Sequence, residues 1–262
     1  MHDFQYHKPS SVADAVAALG SGEDATLVAG GMTLIPTLKQ RLAAPSDLVD
    51  LSGVADLVGV RDKGDHVEIG AMTTHAAVAA SPDVPGCLAE LAGNIGDAQV
   101  RNRGTIGGSV ANNDPTACYP SACLALNATI VTNSREIAAD DYFTGMFETA
   151  LEEGEIITAI RFPKPEAGKY MKFENPASRY ALVGVFVAKT GGQVRVAVTG
   201  AGQDGVFRAT DIESALSSNF SPDAVDSSTI DVDGLNGDIH ASAEYRQHLI
   251  GVMAKRAVAA CA

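Results

Sequence analysis

Gly104-Thr105-Ile106-Gly107-Gly108-Ser109 lies within a segment, Gly96 to Pro120, that holds four glycines, three asparagines and two prolines and has little periodicity beyond short pieces. A loop of that length inside a compact domain is usually functional. Consecutive glycines let several backbone N–H groups turn into one concavity, and such nests hold phosphate through oriented dipoles. A second segment of this kind, Ala29-Gly30-Gly31-Met32-Thr33, follows a short apolar run from Thr26 to Ala29. Taken alone, each Gly-Gly pair reads as a tight turn. The two together, with Thr and Ser beside them, point to a dinucleotide pyrophosphate held by backbone N–H groups.

Outward from these segments the chain alternates strands and helices. Ser10 and Ser11 precede Val12, Ala15, Val16 and Leu19 at helical spacing, and Gly20 closes the run. After the strand from Thr26 to Ala29, Thr33 is placed to cap a helix through Leu42, with Pro36 near its start, and Leu48 to Leu51 reads as a second strand. Strand, helix and strand make a βαβ unit, so a small parallel sheet is expected. Leu57 to Arg61 and His66 to Gly70 flank the polar turn Asp62-Lys63-Gly64-Asp65 as a hairpin. Helices are expected over Thr74 to Ala80 and Pro85 to Ile95, and strands over Leu124 to Thr132 and Ile156 to Phe162. Pro163 to Gly168 reads as a linker between domains. Beyond it, Tyr180 to Lys189 and Gln193 to Thr199 form a strand pair, and helical patterns follow around Ile212 to Leu216 and from Ala243 to Ala260.

The composition excludes several functions. With 32 acidic and 19 basic residues among 262, the formal charge is −13, which disfavours nucleic acid and anionic lipid as partners. An anionic cofactor must then be held by local N–H groups. Four cysteines, at 87, 118, 123 and 261, have neither the spacing of a disulfide framework nor that of a zinc or iron–sulfur site. Cys118 and Cys123 read as buried small hydrophobes. The first residues lack the pattern of a secretory signal and no window is apolar enough to span a membrane, so the expected location is the cytoplasm. Gly200-Ala201-Gly202-Gln203-Asp204-Gly205 matches G-x-G-x-x-G after a strand. Val206 to Thr210 is no helix start, however, and the preceding strand pairs most simply as a hairpin, so a nicotinamide-dinucleotide (Rossmann) oxidoreductase is the weaker alternative.

Several motifs occur together in an order that resembles a known family. Ala29 to Pro36 with Lys39, Arg41 and Leu42 comes first, then Ile69-Gly70-Ala71-Met72-Thr73-Thr74-His75. Arg101, Gly104 to Ser109, Ala111-Asn112 and Asp114-Pro115 follow, and Tyr180-Ala181 and the tail from Ala243 to Ala257 complete the match. The chain resembles the FAD-binding medium subunit of molybdenum hydroxylases (the xanthine dehydrogenase and aerobic carbon monoxide dehydrogenase family), most closely the carbon-monoxide-dehydrogenase-like branch. The resemblance implies an α+β fold. A vanillyl-alcohol-oxidase (PCMH)-type FAD-binding domain would occupy residues 1–165, subdivided at 54/55, and a smaller flavoprotein C-terminal α+β domain residues 166–262.

It also implies that FAD lies between the two parts. Ala29, Gly30, Gly31, Met32, Thr33 and Leu34, with Thr105, Ile106, Gly107, Gly108 and Ser109, would supply two loops around the pyrophosphate. Asp114 would stand near the flavin end, Lys172 would approach the cofactor and Tyr180 would cover one face of the isoalloxazine. Met32 stands where histidine is common in the branch, and Cys118-Tyr119 replaces a more usual Asp-containing pair. Tyr119 reads either as a core aromatic or as a contact to the flavin edge. His75 reads as an ordinary hydrogen-bonded histidine, and no residue is assigned as acid, base or nucleophile, because hydride chemistry belongs to the flavin.

The implied function is an electron-transfer subunit without metal of its own. Its partners would be a large molybdopterin-binding subunit and a small subunit with [2Fe-2S] clusters, in a dimer of heterotrimers. A third possibility is a non-catalytic scaffold that has lost its cofactor.

Overall fold

The computed structural model describes residues 1–261. The first part is β1 (Gln5–His7), α1 (Val12–Ser21), β2 (Ala25–Val28), α2 (Leu34–Lys39) and β3 (Asp47–Asp50). β3 lies between β1 and β2 and pairs parallel with both. The expected βαβ sheet is therefore present, with an additional strand, Gln5–His7, too short to show periodicity. Ser11 caps α1 by accepting from the Asp14 N–H at 3.1 Å. Gly20 does not close this helix, which runs to Ser21 with Gly22 as its C-cap.

The middle part begins with the hairpin β4 (Val60–Asp62) and β5 (His66–Gly70), followed by five helices. These are α3 (His75–Ala80), α4 (Gly86–Gly93), α5 (Ala98–Arg103), α6 (Ile106–Asn112) and α7 (Tyr119–Ala125). Then come β6 (Thr129–Thr132), β7 (Glu136–Ala138), the short α8 (Ala139–Tyr142), the hairpin β8 (Phe143–Gly145) and β9 (Glu148–Thr149), and β10 (Ile157–Pro163). β10 runs antiparallel between β5 and β6 in a five-stranded sheet of order β4-β5-β10-β6-β7.

Two expectations are corrected here. The segment Gly96 to Pro120 is mostly short helix, not loop, because polar caps compensate for poor helix formers. Asp97 accepts from the Val100 N–H (2.8 Å) to start α5, and Thr105 accepts from the Gly108 N–H (3.2 Å) to start α6. Leu124 and Ala125 belong to the end of α7, so the strand begins only at Thr129. An apolar run does not separate strand from buried helix.

The last part is an antiparallel sheet, β11 (Ala167–Glu174), β12 (Ala181–Thr190), β13 (Gln193–Gly202) and β14 (Gly205–Arg208), with α9 (Thr210–Ser218) and α10 (Ala243–Ala260). β12 is buried from Ala181 to Ala188 because both its faces are covered. Val183, Val185 and Val187 face α10 and α9, whereas Phe186 and Ala188 enter the core of the middle part. The Pro163 to Gly168 connection is short and bonded: Lys164 N–H donates to Asp65 and Glu166 N–H to Lys189. No described helix is long and apolar enough to cross a membrane.

Candidate functional site

The first glycine segment leaves β2 and passes against the end of α5. A Cβ on Gly30 would overlap the Arg103 carbonyl oxygen, so only glycine permits this approach. Gly31 follows at φ +70°, and α2 begins with the Ile35 N–H donating to the Gly31 carbonyl at 3.0 Å. Thr33 does not cap that helix as expected; it is itself in the right-handed helical region and its side chain makes no cap bond. Among the described residues, the backbone N–H groups of Gly30, Gly31, Met32, Thr33 and Leu34 find no protein acceptor. Five consecutive free donors in one turn make an anion cradle.

The second segment is built differently. Ile106 N–H donates to the Thr73 carbonyl (3.0 Å), Gly107 N–H to Ala71 (2.8 Å) and Ser109 N–H to Thr105 (3.0 Å). Gly108 N–H goes to the Thr105 hydroxyl. The expectation that Gly107 and Gly108 amides hold phosphate is therefore corrected: the fold has already used them. These glycines serve close packing. A Cβ on Gly107 would meet Ala71 Cβ at 2.5 Å, and one on Gly108 would meet Ala29 Cβ at 3.2 Å, bringing the two segments together.

Between them opens a cavity of about 460 Å³, within the range of cofactor sites, roughly 300–1,000 Å³. Of the residues singled out in the sequence, Ala29 to Leu34, Thr105, Gly107, Gly108, Ser109, Asp114, Lys172 and Tyr180 all line it. Ile106 does not: it is fully buried in the core. Asp114 Oδ1 accepts from Thr116 N–H (2.8 Å) and the Thr116 hydroxyl (2.6 Å), which fixes its carboxylate at the wall. The loop from Asn175 to Tyr180 forms a lid. Lys172 Nζ, its side chain largely buried, donates to the Asn94 carbonyl (2.5 Å) and the Arg179 carbonyl (3.1 Å), tying that lid to the end of α4. Tyr180 itself stands at the open side, 57% exposed.

Glu155 lines the cavity without having been marked by any motif. Glu155 is held by Arg135, Thr132, Ser134 and the Glu152 N–H. The Arg135 hydrogen bond leads in lowering its pKa to about 2, so the carboxylate stays charged and already partnered. Cys118 lines the cavity, and its thiol and that of Cys123 are pushed up by burial. Tyr119 is a core aromatic, fully buried, stacked obliquely on His75 with ring centroids 5.3 Å apart. His75 also lines the cavity and departs from expectation: neither ring nitrogen bonds a described protein group, and Nδ1 is sealed from solvent. It lies in the Ile69 to His75 motif, but its lack of a partner is set by tertiary packing and has no local signal.

The G-x-G-x-x-G match is excluded as a dinucleotide fingerprint. Gly202 pairs with Gly205 across the antiparallel turn between β13 and β14, and no helix opens there. Gly200 is a glycine because a Cβ would strike the Ala181 carbonyl oxygen and its φ is +84°.

The comparisons with known proteins agree with the cavity. A family model described as the FAD binding domain in molybdopterin dehydrogenase matches residues 2–165. The carbon monoxide dehydrogenase medium chain of Afipia carboxidovorans is 38% identical over 97% of this chain and 95% of its own. The nicotine 6-hydroxylase medium subunit of Paenarthrobacter nicotinovorans is 36% identical over 97% and 95%. A crystal structure of Cu,Mo-CO dehydrogenase in its cyanide-inactivated form superposes with a TM-score of 0.91 at 36% identity, covering 100% of this chain and 98% of that one. From the fold, the cradle and these likenesses, the chain belongs to the FAD-binding medium subunits of the molybdenum hydroxylases, in the carbon-monoxide-dehydrogenase-like oxidoreductase family.

Proposed function

We propose that the free amides of Gly30 to Leu34 hold the FAD pyrophosphate, with Ala29, Thr105, Gly107, Gly108 and Ser109 as the adjoining wall and Asp114, Lys172 and Tyr180 at the flavin end. The observation that carries this reading is the run of five unpaired N–H groups. Left dry, each would be costly; facing a phosphate, each makes a charge-assisted bond. When bound, FAD supplies one- and two-electron chemistry. The chain's own part is to position it: the first segment donates, the second shapes the wall, and Lys172 keeps the lid beside the cavity. In this reading residues 1–165 form the FAD-binding domain and 166–262 a second domain that supplies the lid.

The chain acts as the electron-transfer subunit of a complex, receiving electrons from [2Fe-2S] clusters on a small subunit and delivering them to an external acceptor. Substrate oxidation belongs to a large molybdopterin-binding subunit. Chains similar to this one over 97% of its length carry names with two different substrates, carbon monoxide and nicotine, which supports substrate choice lying outside this cavity. We further propose a dimer of heterotrimers in the cytoplasm.

The test is to purify the chain, add FAD, remove excess, and record the absorption spectrum with mass identification of the released molecule. Flavin bands with stoichiometric FAD are expected. Stable association with partner subunits but no retained flavin in the assembled complex would instead favour the scaffold.

A further inference from the structure

We propose that His75 is an additional cofactor contact, donating from Nε2 to an oxygen in the ribityl–pyrophosphate stretch of FAD. This rests on the FAD reading above and adds a residue to it. His75 opens α3 behind the Thr74 cap, and its own N–H donates to the Gly104 carbonyl at 3.0 Å, fastening it to the second glycine segment. The residue is 4% exposed, yet its ring has no hydrogen-bond partner among the described residues. Native interiors leave few polar atoms in that state, and each one needs a stated reason.

The geometry selects Nε2. Nδ1 is sealed off, and the Tyr119 ring packs against the imidazole with its own hydroxyl equally unpartnered. Nε2 abuts Gly104, where a Cβ would sit only 2.6 Å away. Only glycine at 104 permits that approach, and Nε2, which bonds no described protein group, is not sealed from solvent as Nδ1 is; His75 and Gly104 both line the cavity. Gly104 is also part of the backbone on which Gly30 packs, so this nitrogen lies next to the cradle of free amides. Burial first, and the Arg101 charge second, lower the His75 pKa to about 4. The ring is neutral at pH 7 and carries one N–H, a donor for a phosphate or ribityl oxygen.

The experiment compares wild type, His75→Leu and His75→Gln as the full chain. Thermal midpoints are measured without and with FAD, and the FAD Kd by flavin fluorescence titration. A contact predicts that His75→Leu keeps or raises the midpoint without FAD, because an unpaired polar group is removed, and weakens FAD binding by about 10-fold. His75→Gln, which retains an N–H donor, recovers most of the affinity. A His75→Leu midpoint lowered without FAD, with Kd unchanged, would overturn the proposal and make His75 structural; so would a His75→Gln variant no better than His75→Leu. Failure of the wild type to bind FAD would overturn the FAD reading itself and is seen before any variant is compared.

Discussion

The two glycine segments look alike in sequence and do opposite things in the structure. Gly30-Gly31 ends a strand and leaves its following amides unbonded, whereas Gly107-Gly108 begins a helix whose first amides are bonded to Ala71, Thr73 and Thr105. Glycine in the first opens a cradle; in the second it closes a packing seam. A Gly-Gly pair therefore signals close backbone approach, and the fate of the amides depends on what approaches.

Substitutions can break this contrast in graded fashion. The largest effect is expected at Gly30: Gly30→Ala drives a Cβ into the Arg103 carbonyl and displaces the cradle. Losing two or more charge-assisted bonds should weaken FAD binding by roughly 100-fold or more, read by equilibrium dialysis. A loss below tenfold would show that the cradle is not the main anchor.

The second wall carries the titration. His75 is held neutral when folded, its pKa lowered from 6.5 to about 4, so the unfolded chain binds more protons between those values. Stability is then full above pH 6.5 and declines as pH falls toward 4, by up to about 3 kcal/mol. Urea unfolding across that range checks it. The part of the decline above about pH 5, where lowered carboxylates such as Glu155 do not yet contribute, should vanish in His75→Leu and persist in variants of the first segment; a Gly30 variant that flattens it would contradict the division.

Gly107→Ala is expected to cost about 1–3 kcal/mol of stability by overpacking, since its Cβ meets Ala71 Cβ at 2.5 Å. The thermal midpoint without FAD should fall, with FAD binding affected only through folding. Smallest is the pair of threonines. Thr105→Ala removes a helix cap and should cost about 1 kcal/mol, but Thr33, which caps nothing, should change by less than about 0.5 kcal/mol. Equal losses would mean that the two segments are built alike.

Much of the fold was legible because its signals are local. The polar turn Asp62 to Asp65, the cap at Ser11 and the helical stripe from Ala243 to Ala260 each lie within a few residues of what they determine. The wall residues of the cavity were legible as a resemblance spread along the chain. What escaped is tertiary. Whether an amide at Gly107 is free depends on Ala71, and whether His75 has a partner depends on Gly104 and Tyr119, all of which only folding brings together. The helices of the Gly96 to Pro120 segment escaped for another reason: side-chain caps outweigh a composition rich in glycine and asparagine.

The central claim is that the first segment donates and the second does not, and amide hydrogen exchange resolved to single residues tests it most directly. Without FAD, the Gly30 to Leu34 amides should exchange rapidly and those of Ile106 to Ser109 slowly. On adding FAD, Gly30 to Leu34 should become protected and the second group change little. New protection at Ile106 to Ser109 with Gly30 to Leu34 unaltered would contradict the account.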